Sequence, residues 1–300
     1  MSIALQPSPI PSRRSLLVIV DGALDSQFFS QLVNKGWLVE YAASNSEALN
    51  VVFQRPFDLV VTSSATSAKT DLQLLQQIRA IRPHTRLIIL TNEGTTRDVV
   101  TALKEHAFSY FSPPYSLESV TRMIHLAMEH PTWDDGIEVL SATGSWIRLL
   151  ARCDVATAER VHQFISEMFD LPDEERSEVA YAFREMMMNA MRYGGGFNPD
   201  ENVEISYLRT RRSVACRIKD PGKGFSFDKL HHAAVSNPSA DPILHMQVRE
   251  AEGLAPGGFG ILLSRQLVDE LIYNEQGNDV LMVKYLDGAP KSESKANAGN

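Results

Sequence analysis

Three short segments in the second half of the sequence carry residues able to do chemistry on a nucleotide: Glu185-Met-Met-Met-Asn189, Asp220-Pro-Gly-Lys-Gly224 and Gly257-Gly-Phe-Gly260. On a helix, residues four apart project from one face, so Glu185 and Asn189 would set a carboxylate beside an amide. Asp220 ends a strand-like run, where its carboxylate can accept a hydrogen bond from an exocyclic amine. Gly222 and Gly224 permit a sharp turn and a close backbone approach to a ligand. Gly258 and Gly260 open a helix-like run, where free backbone N–H groups and the helix dipole suit a phosphate. Each segment alone has an ordinary explanation: a solvated polar stripe, a loop, a helix start. All three in this order are much harder to explain that way.

The surrounding pattern predicts the elements that must hold them. Pro172 and the acids Asp173, Glu174 and Glu175 begin a helix that runs to Tyr193 and stops at Gly194-Gly-Gly196. Val179, Phe183, Met186 and Ala190 recur on its core face, and Glu178, Ala182, Glu185 and Asn189 form the neighbouring stripe. Residues 145–150 read as a strand and 155–169 as a helix. Residues 203–208 and 213–219 alternate as a β-hairpin that delivers Asp220. A long polar segment, 226–256, reads as a lid with a short helix at 243–251. Helix 261–271 and strands at 272–274 and 280–286 complete the block.

The first half alternates differently. Strands at 15–20, 37–41, 57–62, 86–91 and 108–111 are separated by helices at 26–35, 45–55, 72–81, 96–106 and 116–129. Strands that are continuous apolar runs, each followed by a helix, give a doubly wound parallel sheet. The fold class expected is therefore α/β plus α+β. The divisions expected are a tail at 1–13, a first domain at 14–130, a linker at 131–137, a second domain at 138–286 and a tail at 287–300.

Bulk properties exclude several classes. The net charge of −8 argues against direct nucleic-acid binding, and no apolar run is long enough to span a membrane. The N-terminus lacks the charged start and apolar run of a signal peptide, so a cytoplasmic location is expected. Cys153 and Cys216 read as small buried residues rather than a disulfide or metal pair. The adjacent His231 and His232 have no third ligand in sight and read as solvated lid residues.

The first half resembles the receiver domain of response regulators, a flavodoxin-like fold. A receiver uses an acidic pair after strand one, a phosphorylated Asp after strand three, a hydroxyl after strand four and a Lys after strand five. This sequence has Asp21-Gly22 in place of the pair, with Asp25 out of pattern; it has Ser63 for the acceptor, keeps Thr91, and has Pro113 for the Lys. A serine hydroxyl neither attacks phosphorus nor binds Mg²⁺ without a base. The resemblance thus implies a pseudo-receiver serving as a docking or dimerising module. Phosphorylation of Ser63 by another kinase is the competing reading.

The second half resembles the GHKL (histidine-kinase-like) ATPase superfamily, most closely the anti-sigma-factor serine kinases. Glu-x-x-x-Asn matches the N box, Asp-x-Gly-x-Gly and Gly-x-Gly the two glycine boxes, and residues 260–271 the helix that follows. Tyr193 stands where a His is frequent, and the lid is longer than usual. The resemblance implies that ATP and Mg²⁺ bind here. Asn189 would ligate Mg²⁺, and Asp220 would read the adenine amine. Gly222 and Gly224 would shape the turn, and Gly258 and Gly260 would contact phosphates. Glu185 would be the general base that activates a substrate serine. It further implies an anti-anti-sigma antagonist as substrate, a sigma factor as bound partner, and homodimerisation. Two other readings stay open: a non-catalytic ATP-binding partner-switching module, and a hybrid histidine kinase using His125 or His130. The second has one helix where a helical hairpin is needed.

Overall fold

The computed structural model describes residues 14–20, 36–63, 66–129, 135–226, 233–234, 237, 241, 243–251 and 258–286. The expected tails, helix 26–35, Asp21, Asp25, His130, His231, His232 and Gly257 lie outside these residues, as do residues 131–134. Apart from residues 95–100, the first compact unit runs to residue 134 and the second begins at Asp135.

In the first unit, β1 (Ser15–Ile19), β2 (Leu38–Ala42), β3 (Leu59–Val61), β4 (Arg86–Leu90) and β5 (Ser109–Phe111) form one sheet in the order β2-β1-β3-β4-β5. Every pairing is parallel. This is the flavodoxin-like order. The strands are apolar throughout because both faces are buried. On one face Leu16, Val18, Leu59, Val61, Ile88 and Leu90 pack with Val120, Met123 and Ile124 of helix Leu117–Glu129. Leu17, Ile19, Val60 and Ile89, which alternate with them, are buried too. The helix expected at 72–81 begins earlier, at Ala68. The Ser67 hydroxyl accepts the Thr70 N–H there, a cap that periodicity alone does not show.

The ends of β3 and β4 carry a closed polar cluster. Thr62 and Ser63 are buried, and the Thr62 hydroxyl both donates to Leu90 O and accepts from Leu90 N. Asp71 is fully buried; its carboxylate accepts from Asn45 Nδ2 at 2.8 Å and Thr66 Oγ1 at 2.8 Å. Burial pushes the Asp71 carboxyl up to about 6, against the opposing effect of these hydrogen bonds.

In the second unit β6 (Ile137–Thr143), β7 (Trp146–Arg152), β8 (Asn202–Arg209), β9 (Ser213–Lys219), β10 (Glu270–Tyr273) and β11 (Asp279–Tyr285) form an antiparallel sheet, in the order β10-β11-β9-β8-β7-β6. β6 is absent from the sequence expectation. A bulge between Val139 and Ser141 inserts Leu140 and breaks the alternation that would have marked the strand. Helices Val155–Met168, Asp173–Asn189 and Gly260–Leu267 accompany this sheet. Their buried residues, among them Val161, Phe164, Val179, Phe183 and Met186, join the inward residues of β7, β8 and β9 in one core. Phe169 stacks against both Phe183 and Tyr207, and the Tyr207 hydroxyl donates to Met168 O. The other face carries an ion ladder in which Arg148 and Arg217 pair with Glu204, and Arg217 with Asp279.

Two boundaries differ from the sequence reading. The helix expected at 261–271 ends at Leu267, because Val268 turns extended and β10 begins at Glu270 to pair with β11. The helix expected to reach Tyr193 is α-helical only to Asn189 and continues as a π-helical turn, Ala190–Gly194.

The raised Asp71 value makes a pH prediction. Its folded value exceeds the unfolded one, so its contribution to stability is fully present below about pH 4 and is lost as pH rises through about 6. The loss amounts to roughly 3 kcal/mol. A carbon-13 titration should follow the Asp71 carboxyl with a midpoint near 6, and Asp71→Asn should flatten the pH dependence of unfolding between pH 4 and 7. A midpoint near 4 would contradict this account.

Candidate functional site

Helix Asp173–Asn189 buries Val179, Ala182, Phe183, Met186 and Met187. Glu185 and Asn189 are thereby turned onto the rim of that buried face, four residues apart. What they face is the start of helix Gly260–Leu267. A Cβ on Gly260 would lie 2.7 Å from Glu185 Oε2 and 3.7 Å from Asn189 Nδ2. The missing side chain at Gly260 therefore lets a carboxylate and an amide stand against a helix N-terminus.

The π-helical turn after Asn189 moves the backbone towards Asp220. Gly195 N–H donates to Ala190 O at 3.0 Å. Gly194 then packs directly on the Asp220 side chain, where any Cβ would come within 2.2 Å of Cγ. The triple glycine is thus more than a helix stop: Gly194 is small because the Asp220 carboxylate occupies the space beside it. Asp220 is half-buried, and its Oδ1 accepts the Gly222 N–H at 2.8 Å. Burial holds its carboxyl above the usual carboxylate range, the Gly222 hydrogen bond opposes this, and the nearby Asp279 charge adds to it.

Glu185, Asn189, Asp220, Gly222, Gly224, Gly258 and Gly260 all line one cavity of about 840 Å³. That volume is within the range of small-molecule and cofactor sites. The same cavity is lined by Arg192, Tyr193, Lys223, Arg249, Tyr273 and Asn278, none of which the motifs singled out as site residues. Three of these are cations, suited to an anionic ligand. Tyr193 is 65% exposed and presents its ring at the rim. Tyr273 reaches in from β10, with its hydroxyl on Met186 Sδ at 3.2 Å and its ring edge-on to Phe225. Asn278 follows Gln276-Gly277 in the turn that joins β10 to β11. Cys153 and Cys216 are both buried free thiols. Among the described residues no group of three or more His, Cys, Asp or Glu side chains is arranged to hold a metal, and no helix is long and apolar enough to cross a membrane.

Comparison with known proteins finds two family matches. Residues 149–284 match the histidine kinase-like ATPase domain, and residues 17–125 match the response regulator receiver domain. The chain joins a receiver domain to a histidine kinase-like ATPase domain. Among curated proteins it is similar to the transcriptional regulatory protein GlrR of Escherichia coli, 28% identical over 151 residues, which are 47% of this chain and 34% of that protein. It is also similar to the acid tolerance regulatory protein ActR of Rhizobium meliloti, 30% identical over 111 residues, 36% of this chain and 56% of that one. The match therefore spans less than two thirds of either relative's length. Among solved structures, a response regulator receiver domain protein from Clostridium thermocellum aligns with a TM-score of 0.34 and 25% identity, over 39% of this chain and 94% of that one.

The electrostatics of Asp220 predict a cost to stability. Its folded value is raised, so its contribution to stability is greatest below the unfolded carboxylate range and falls away as pH rises through the folded value. Asp220→Asn keeps an acceptor for Gly222 N–H and removes the buried charge. It should raise the thermal midpoint of the ligand-free protein at pH 7, and the gain should vanish on titration to about pH 4. A variant less stable than the parent at pH 7 would contradict this.

Proposed function

We propose that this chain is an ATP-dependent protein-serine kinase that also acts as an anti-sigma factor in a partner-switching pathway. The observation that carries the reading is the convergence of Glu185 and Asn189 on Gly260, with Asp220 lining the same cavity. A nucleotide fits this arrangement. The Asp220 carboxylate suits the base amine, and the turn at Gly222 and Gly224 suits close approach of the base. The backbone at Gly258 and Gly260, at a helix N-terminus, suits the phosphates. The Asn189 amide oxygen would be the protein ligand for Mg²⁺, a hard cation that shares its oxygen ligands with phosphates and would offset their charge.

In the proposed transfer, the hydroxyl oxygen of a serine on the antagonist protein bonds to the γ-phosphorus. The bond from that phosphorus to the bridging oxygen breaks, and ADP leaves. Glu185 takes the hydroxyl proton. Phosphorylating the anti-anti-sigma antagonist would release it and leave the ATPase domain free to hold the sigma factor. Curated relatives named as transcriptional regulatory proteins are in keeping with an output in transcription.

The receiver domain is proposed to be a docking or dimerising module that takes no phosphoryl group. Ser63, at the acceptor position, is buried, and the adjoining Thr62 is committed to the β4 backbone. Pro113 offers no cation. The histidine-kinase alternative finds little support. His125 is in the receiver unit, with its ring 5.0 Å from that of Trp37, not on a helical hairpin.

Two variants separate binding from chemistry. Asn189→Ala should weaken Mg-ATP binding and transfer together. Glu185→Gln should leave ATP affinity nearly intact and slow transfer to a co-expressed antagonist by roughly 10²–10⁴-fold, with sigma-factor binding retained. Transfer by Glu185→Gln at the parental rate would remove Glu185 as the base. A parent protein that binds ATP but transfers nothing would favour the non-catalytic module. In a separate test, acetyl phosphate should leave the intact mass of the protein unchanged; an acyl-phosphate on the receiver domain would overturn its proposed inertness.

A further inference from the structure

The turn between β10 and β11 carries two asparagines that bond to each other. Asn274 Oδ1 accepts from Gly277 N–H at 2.8 Å and from Asn278 N–H at 3.1 Å, and Asn274 Nδ2 donates to Asn278 Oδ1 at 2.9 Å. Asn278 then reaches across to the Asp220 turn. Its Nδ2 donates to Gly222 O at 3.2 Å and lies 3.5 Å from Asp220 O, while Asp220 N–H donates to Asn278 O at 2.9 Å. The two turns touch backbone to backbone. A Cβ on Gly224 would lie 2.0 Å from Gln276 O, and one on Gly277 would lie 2.1 Å from Phe225 O. Gly224 and Gly277 also have φ of +74° and +80°, so each is glycine for both reasons.

We infer that Asn278, oriented by Asn274, is the positioning residue that gives the cavity its preference for an amino-bearing purine over a keto one. The inference rests on the nucleotide reading proposed above and deepens it. Asn278 is 8% exposed and its amide is spent on Asn274 and Gly222, so it is not itself a contact for the base. Its effect passes through Asp220. Oδ1 of Asp220 is committed to Gly222 N–H, and among the described residues Oδ2 receives no hydrogen bond. An ionised carboxylate oxygen can only accept. It attracts the amine of adenine and repels the carbonyl of hypoxanthine, whose lone pairs would face it. Selectivity then depends on where that one oxygen stands. Its position is set by the 220–222 backbone, and that backbone is held by Asn278.

The test measures ADP and IDP, which differ by amine against carbonyl at this edge, on the full chain. The parent should prefer ADP by about 10-fold or more, the worth of a hydrogen bond to a charged group. Asn278→Ala should bring the ratio close to one mainly by weakening ADP, with IDP affinity changed less than about threefold. Asn274→Asp keeps the acceptor for Gly277 and Asn278 N–H and replaces the donor to Asn278 Oδ1 with a charged oxygen that repels it; its ratio should fall part of the way. IDP binding shows that each variant is folded, and if Asn278→Ala binds neither nucleotide the Asn274→Asp ratio decides. A parent that prefers ADP while both variants keep the full ratio overturns the role given to Asn278. A parent with no preference, or with no affinity for either nucleotide, overturns the assignment of Asp220 and the nucleotide reading beneath it.

Discussion

The candidate site depends above all on burial of one face of helix 173–189 against the antiparallel sheet. Val179, Phe183, Met186 and Met187 are withdrawn from water almost completely, and a helix anchored by four such side chains cannot rotate about its axis without exposing them. With rotation fixed, the next stripe round the helix is fixed too. Glu185 and Asn189 therefore meet Gly260 because apolar neighbours with no chemistry of their own hold them there. The anchor is reinforced at both ends of the stripe. Lys284 Nζ donates to Glu178 and to Leu267 O, tying this helix to the C-terminus of helix 260–267. The Tyr273 hydroxyl rests on Met186 from the other side.

Charge is arranged with similar economy around Asp220. Two carboxylates near one cavity wall would repel each other and discourage an anionic ligand. Asp279 is compensated instead by a forked contact with Arg217, with Nε at 2.9 and 3.2 Å and Nη2 at 2.5 Å. The same Arg217 pairs with Glu204, which Arg148 also holds. Asp220 keeps an open oxygen, at the cost of a raised carboxyl. An unfavourable environment retained at one named carboxylate in a cavity is the usual physical mark of a binding group.

The receiver domain shows the opposite pattern. Its buried carboxylate, Asp71, is closed in by Asn45 and Thr66. The hydroxyls at the ends of β3 and β4 are spent on backbone: Thr62 on Leu90, and Thr91 on Glu93. The two domains thus set a carboxylate in different places: Asp71 is fully buried, and Asp220 lines a cavity.

Local physics was enough to make much of this legible in the sequence. Continuous apolar runs announced a parallel sheet and alternating ones an antiparallel sheet, because side-chain periodicity follows directly from burial on two faces or one. The spacing of Glu185 and Asn189 followed from helix geometry, and the glycine turns from the need for positive φ or close approach. What the sequence left hidden involves partners distant along the chain. β6 was obscured by one inserted residue, Leu140, whose bulge exists only against β7. The end of helix 260–267 was set by β11 drawing Glu270 into a strand. Gly194 read as a helix stop until Asp220 was seen filling the space beside it. Asn278 gave no signal in the sequence, since its bond to Gly222 joins two turns far apart along the chain. Periodicity records which way a side chain faces; only the packed fold decides what it finds there.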